Sequence, residues 1–401
     1  MRESVDLTDP DSFVEDVPHE TFARLRREEP VSFHPERDGP GFWVLTRYDD
    51  VKYASRTPEV FSSAIGGTNI ETPPREQLTA LQRVIINMDP PEHRRFRSLI
   101  NKAFTPRMVD KLRPTVVRMA EQIVDEVAPR GECEFVGEVA ALMPMRVICE
   151  LVGVAEEDRR TVYELTNRMI GSEDPELSAT PLEAEAAMLE MFQYAAKTAE
   201  RARSHPADDL ATALVNAEVD GERITDLEFN CFFLALAVAG NETTRSVTCH
   251  GMRLLIEHPD ERRVLLDEPS LLDCAIDEML RFAPPVHHFR RTASRDVVVR
   301  GKEIRAGDKV TLWYTSANRD EDVFVRPDVF DVHRRPNEHL AFGIGEHFCL
   351  GANLARMELQ EIFRELLARL PDMELVAPIR RLRSNFINGV KEMRVRFTPL
   401  S

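Results

Sequence analysis

The chain of 401 residues is 43% hydrophobic and 30% charged, the balance of a globular protein with a sizeable core. A formal net charge of -17 argues against nucleic acid as the main partner, since phosphate binding needs a basic footprint. Six cysteines, Cys133, Cys149, Cys231, Cys249, Cys274 and Cys349, include no close pair and no CxxC, the pattern of a reducing compartment and not of a disulfide framework or zinc site.

The opening stretch, MRESVDLTDPDSFVEDVPHE, is acidic and lacks the apolar run of a signal peptide, and no later run reaches the ~20 apolar residues of a membrane span. A cytoplasmic protein without a membrane anchor is expected. GFWVLTRYDDV (41–51) alternates apolar and polar residues and predicts an early strand. From about Pro106 to Glu257 the spacing is mainly helical. Within it, Thr225 and Glu228 form a capping-box pattern and Pro259 is a stop, which predicts one apolar helix of roughly 33 residues, about 50 Å long. SLLDCAIDEMLRF predicts a further helix ending before Pro284 and Pro285. Residues 296–313 alternate as short strands, NLARMELQEIFRELLARL predicts a last helix, and SNFINGVKEMRVRF predicts a hairpin. The fold class is mainly α with small β-sheets. No repeat or linker marks a boundary, so residues 1–401 read as one domain.

FGIGEHFCLG (342–351) is the segment that carries chemistry. Gly343, Gly345 and Gly351 strip side chains from around Cys349, as a backbone does where it meets a bulky ligand. The thiol also precedes a helix N-terminus, whose amides and dipole favour a thiolate. One thiolate without companions cannot build a tetrahedral zinc site. Haem ligation, a reactive nucleophile and a redox sensor all remain open on this ground alone.

FGIGEHFCLGANLAR resembles the haem-binding signature of the cytochrome P450 family, with Phe342, Gly343, Gly345, His347, Cys349 and Gly351 in register. The resemblance spans residues 40–400. It implies a helical prism with haem b held between the long central helix and the helix after the cysteine, and Cys349 as the thiolate ligand of the iron, which favours O–O cleavage. AGNETT (239–244) is similar to the family's acid–alcohol pair: Thr243 would hold dioxygen, Glu242 with water would relay protons, and Ala239 would lie against the haem. The plainer reading of the same residues is that Thr243 bonds back to an upstream carbonyl and Glu242 pairs with a neighbour. EMLR resembles the ExxR motif, so Glu278 and Arg281 would form a structural network with Arg334 or Arg335. DPPEHRRFR and FRRTASRD supply propionate donors by the same resemblance: His93, Arg97 and Arg291, with Arg290 as the alternative, and His347 as a fourth.

Met88, Met169, Leu236, Val238, Val286, His287 and Ile387 are the expected pocket residues, mostly apolar, which implies a hydrophobic substrate held by shape. Residues 89–113 carry seven basic and three acidic side chains, a local +4 that would suit docking of an acidic ferredoxin. The expected partners are therefore ferredoxin and ferredoxin reductase, fed by NADPH or NADH, together with O2 and a small hydrophobic substrate, the enzyme acting as a monomer. VAGNETTRSVTCHGM and SNFINGVKEM are most similar to actinobacterial enzymes that hydroxylate sterol side chains and methyl-branched lipids. A hydroxylase or epoxidase tailoring a terpene or macrolide is the alternative. A peroxide-driven enzyme of the same fold fits less well, because those lack the acid–alcohol pair. A haem-binding sensor would have no use for a proton relay, and a cysteine nucleophile lacks a recognisable base.

Overall fold

The computed structural model describes residues 5–103, 105–170, 174, 176 and 180–400. Fourteen α-helices among them form the body. In chain order they are α1 His19–Glu28, α2 Tyr48–Arg56, α3 Arg75–Leu81, α4 Glu92–Ala103, α5 Pro106–Val127, α6 Leu142–Val152 and α7 Arg159–Ile170. There follow α8 Pro181–Ser204, α9 Leu210–Val215, α10 Asp226–Glu257, α11 Pro259–Asp267, α12 Leu272–Phe282, α13 Tyr314–Ala317 and α14 Ala352–Arg369.

The 32-residue α10 is the axis of the molecule, about 48 Å long. Its start is fixed by the capping box: the Thr225 hydroxyl accepts from the Glu228 amide and the Glu228 carboxylate accepts from the Thr225 amide. Its end is fixed by Pro259, which opens α11. α10 packs against α6, α7, α8, α12 and α14, and α14 packs against α5 and α12. The helix holding AGNETT and the helix following Cys349 therefore share one large core.

A five-stranded sheet lies beside this body in the order Val31–His34, Phe42–Leu45, Lys309–Trp313, His288–Ala293, Phe61–Ser62. Its only parallel pair is Phe42–Leu45 with Lys309–Trp313. Leu45, Val310, Leu312 and Ala293 form a second apolar cluster behind it.

Two expectations are corrected. The early strand stops at Leu45, because Tyr48 already begins α2. Residues 384–397 are not a hairpin closed on itself. Val390–Glu392 pairs with Arg380–Arg381, whereas Arg394–Arg396 lies between Glu374–Leu375 and Glu132–Glu134. Among the described residues no helix is long and apolar enough to cross a membrane.

Candidate active site

Cys349 ends a tight loop whose backbone is set by two glycines. Gly343 and Gly345 have φ of 68° and 81°, conformations that L side chains rarely adopt. A Cβ at Gly345 would also lie 2.7 Å from the Ser55 carbonyl oxygen, so the loop is seated directly on α2. The Cys349 amide donates to the Phe342 carbonyl at 2.9 Å, closing the loop just before α14. Behind it, the Arg356 guanidinium lies 4.5 Å from the centre of the Phe342 ring and bonds to Asp277.

Burial pushes the Cys349 thiol above its ordinary range, against the Gly351 amide and the charges of Arg97 and Arg356, which pull it down. The Gly351 amide at the helix start pulls toward the thiolate, as expected, while burial opposes it. A metal bonded to the sulfur would hold the anion. Among the described residues no three His, Cys, Asp or Glu side chains cluster to bind an ion of their own.

Next to this loop the structure collects basic and polar groups whose nearby carboxylate, Glu346, is engaged by Arg94 and lies 4.0 Å from His93 Nδ1. His93 is buried and both its ring nitrogens are without a hydrogen-bond partner. Arg291 is buried, donates at 2.8 Å only to the Arg290 carbonyl, and is held below its usual pKa by that burial. Arg97 donates to the Phe348 carbonyl at 2.9 Å and is likewise lowered by burial. His347 differs. Its ring lies 4.3 Å from that of His93, and its nitrogens are engaged by Ser63 at 3.2 Å and by the Met88 backbone. Burial, then Arg291, His93 and Arg97, push its pKa down to about 2, so the ring is neutral. Arg290 is excluded as the alternative to Arg291. It sits on the other face of its strand, bonded to Ile70 O and Thr72 Oγ1 at 3.1 and 2.8 Å.

On α10 the accessible positions are as telling. Ala239 is exposed in mid-helix, with Leu236, Val238 and Thr243 partly accessible beside it, while residues 244–252 are covered. A flat ligand with two carboxylates suits this set: bare backbone at Gly343 and Gly351, unpaired His93 and Arg291, and one sulfur.

These donors suit haem and its propionates. The family model described as Cytochrome P450 matches residues 178–371. A steroid C26-monooxygenase of Rhodococcus jostii is 40% identical over 100% of this chain and 86% of its own length. The chain belongs to the cytochrome P450 family. A methyl-branched lipid omega-hydroxylase of Mycobacterium tuberculosis is 42% identical over 95% of this P450 and 91% of that protein. The Mycobacterium marinum P450 CYP268A2 bound to pseudoionone superposes with a TM-score of 0.92 at 39% identity, covering 98% of this chain and 99% of that one. This P450 is thus a monooxygenase whose cofactor, haem b, is bound through a cysteine thiolate.

The remaining expected residues fall into place unevenly. Glu278 and Arg281 are completely buried and joined by two bonds of 2.7 and 2.8 Å. Arg334, not Arg335, completes the network, reaching both Glu278 oxygens at 3.1 and 3.0 Å. Val286 and Ile387 form a bridge between their segments and stay partly accessible, as does Met169. Met88 is largely covered.

His287 does not line a pocket. It is buried, bonds through Nδ1 to Thr315 Oγ1 at 2.8 Å and packs 5.0 Å from Phe13, because its side chain faces the N-terminal segment. At AGNETT the plainer geometry holds. The Thr243 hydroxyl donates to the Ala239 carbonyl at 2.6 Å, and buried Glu242 pairs with Arg245. α10 continues through Gly240, where a Cβ would lie 2.2 Å from Ile148 Cδ1, so this glycine lets α6 approach. Sequence reading missed Arg245, and Ser63, which meets His347 at 3.2 Å while its own amide donates to Asp89 Oδ1 at 2.8 Å. Only Arg245, three residues after Glu242, had a visible signal in its spacing.

Proposed function

We propose that this P450 hydroxylates an unactivated C–H bond near the end of a sterol side chain, isoprenoid or methyl-branched fatty chain, using O2 and electrons from a ferredoxin. The carrying observation is the apolar lining. Leu236, Val238 and Ala239 stay accessible on α10, and the bridged Val286 and Ile387 stay partly accessible with Phe289 and Phe386, whose rings meet edge-on at 5.4 Å. In this reading these surfaces form one wall that holds a chain by shape and excludes water. The relatives named for steroid C26 oxidation and for omega-hydroxylation of methyl-branched lipids support the same chemistry at a chain end. The bound pseudoionone of the M. marinum structure favours a second reading, a tailoring enzyme for a terpene.

Haem bound through Cys349 would supply an electron-rich iron for dioxygen activation. His93, Arg97 and Arg291 would neutralise its propionates. In this reading Thr243 orients the oxygen and Glu242 passes protons to it.

Residues 1–401 are read as one domain acting as a monomer. The ferredoxin reading rests on residues 89–113, and the fold weakens it. Arg94 pairs with Glu346, Arg95 with Glu228, Lys111 with Asp208 and Arg113 with Glu361, so acids from elsewhere absorb much of the +4. Among the described side chains, Arg107 and the neighbourhood of the cysteine loop remain for docking.

The test is an optical titration of the ferric protein with a cholestenone-type sterol, a methyl-branched fatty acid, a monoterpene and a macrolide. A Soret shift to high spin with the sterol or branched lipid is expected. A shift with the monoterpene or macrolide alone would overturn the lipid reading in favour of the tailoring one.

A further inference from the structure

We infer that Asn388 is a positioning residue: without touching substrate it fixes how far Ile387 reaches into the pocket, and so which carbon of a chain end is presented for oxidation. The inference rests on the proposed reading of Val286 and Ile387 as pocket wall. Between Ser384 and Val390, Phe386 and Ile387 stay partly accessible while the five other residues are buried. Asn388, 3% exposed, engages each of its polar groups. Its amide donates to the Pro285 carbonyl at 2.9 Å, its Nδ2 donates to the Pro284 carbonyl at 3.0 Å, and its Oδ1 accepts from Arg381 Nη2 at 2.6 Å. Its carbonyl accepts from His250 Nε2 on α10 at 3.1 Å. A carbonyl cannot donate, so this ring carries its proton on Nε2, and its buried Nδ1 is left bare. Four bonds to three segments thus meet on the residue that follows Ile387.

The placing of the wall follows from these bonds. Val286 comes directly after Pro285, and Ile387 directly before Asn388. The two bonds from Asn388 to the Pro284 and Pro285 carbonyls therefore bring Val286 and Ile387 opposite each other, and the His287 amide closes the other side on the Phe386 carbonyl at 2.8 Å. The turn is also held from behind. Arg381 donates to the Phe13 carbonyl at 3.1 Å, and Asn385 Nδ2 donates to the Leu7 carbonyl at 2.9 Å. A Cβ at Gly389 would lie 2.9 Å from Leu382 Cβ, so the turn closes directly on its incoming strand. A side-chain amide meets the demand at 388, with a donor for Pro284 and an acceptor for Arg381 on one planar group. A carboxylate there would keep Arg381 but set an oxygen against the Pro284 carbonyl, and that arm of the anchor would be lost. A misplacement of about 1 Å at a reacting centre costs up to about 100-fold in rate, so a small retreat of Ile387 is enough to change the carbon presented.

Azole titrations of the ferric holoenzyme test this without any substrate. Imidazole and 4-phenylimidazole both bind iron through a ring nitrogen, and the phenyl group is the part large enough to meet the wall. I387A calibrates the readout: loss of the wall side chain should shift the ratio of the two dissociation constants about fivefold in favour of the phenyl ligand. N388D should shift it the same way. The double variant N388D/I387A should shift it no further than I387A alone, the non-additivity of residues that act through one contact. N388D keeps a partner for Arg381 and should melt close to wild type, and it carries the test if N388L, which gives up both side-chain bonds, fails to fold. A folded N388D with the wild-type ratio, or a double variant in which the two shifts simply add, would overturn the inference while the wall reading stands. If I387A leaves the ratio unchanged, Ile387 is no wall, and the pocket reading and this inference fall together.

Discussion

Glu278 is bonded by Arg281, Arg334, Asn337 and the Asp331 amide, with no exposure to solvent. The carboxylate is the counterion for two buried guanidiniums at once. Glu278→Gln would leave both uncompensated, and removing one member of a buried ionic group costs roughly 3–5 kcal/mol. Denaturant unfolding of the holoprotein should show a loss of that size. An unchanged midpoint would mean that the guanidiniums find other acceptors. At this scale the sequence was readable where a side chain's partner sits within one helical turn, as in Glu278 and Arg281. It was ambiguous where the partner arrives from a loop, as with Arg334 against Arg335. His287 was misjudged because strand alternation does not say which face meets the pocket, and Phe13, which covers it, is far away in the chain.

At the scale of elements, α10 and α14 were legible because apolar spacing, caps and prolines are local signals. The paired strands near the C-terminus were not. Arg394–Arg396 takes its partners from Glu374–Leu375 and Glu132–Glu134, and register with a distant strand leaves no mark in the segment itself. The cysteine loop lies between these cases: its glycines are visible, but the contact that makes Gly345 indispensable is with α2. Gly345→Ala combines a left-handed backbone, costing about 1–2 kcal/mol for an L residue, with a Cβ against the Ser55 carbonyl, which cannot swing aside. The expected outcome is a protein that folds yet retains haem poorly, with a weakened thiolate-type band in its reduced carbon-monoxide spectrum. Full retention would show that α2 yields.

At the scale of the molecule, acid should unfold this P450 earlier than its carboxylates alone would predict. Burial holds His19, His250 and His287 well below their ordinary pKa of 6.5, and His288 down to about 3. The native fold keeps these rings neutral while the unfolded chain protonates them. Their contribution is complete above pH 6.5 and is lost as the pH falls below it, each by about 1.4 kcal/mol per unit. Urea midpoints measured from pH 7.5 to 5 should drop steeply, and His288→Phe, whose ring nitrogens leave no partner behind, should flatten the slope by about one proton. A flat profile would contradict the burial of these rings. The net charge was legible from composition, but the pairing of residues 89–113 with acids from four other segments was not. The six sulfurs carry a further consequence. Five are buried, at 7% exposure or less, burial raises Cys133 to about 12 and Cys149 to about 11, and Cys349 is the most accessible of the six. An aqueous thiol reagent should then label an empty sample faster than a fully loaded one, so the early rate of modification followed by mass measures cofactor occupancy without any optical signal.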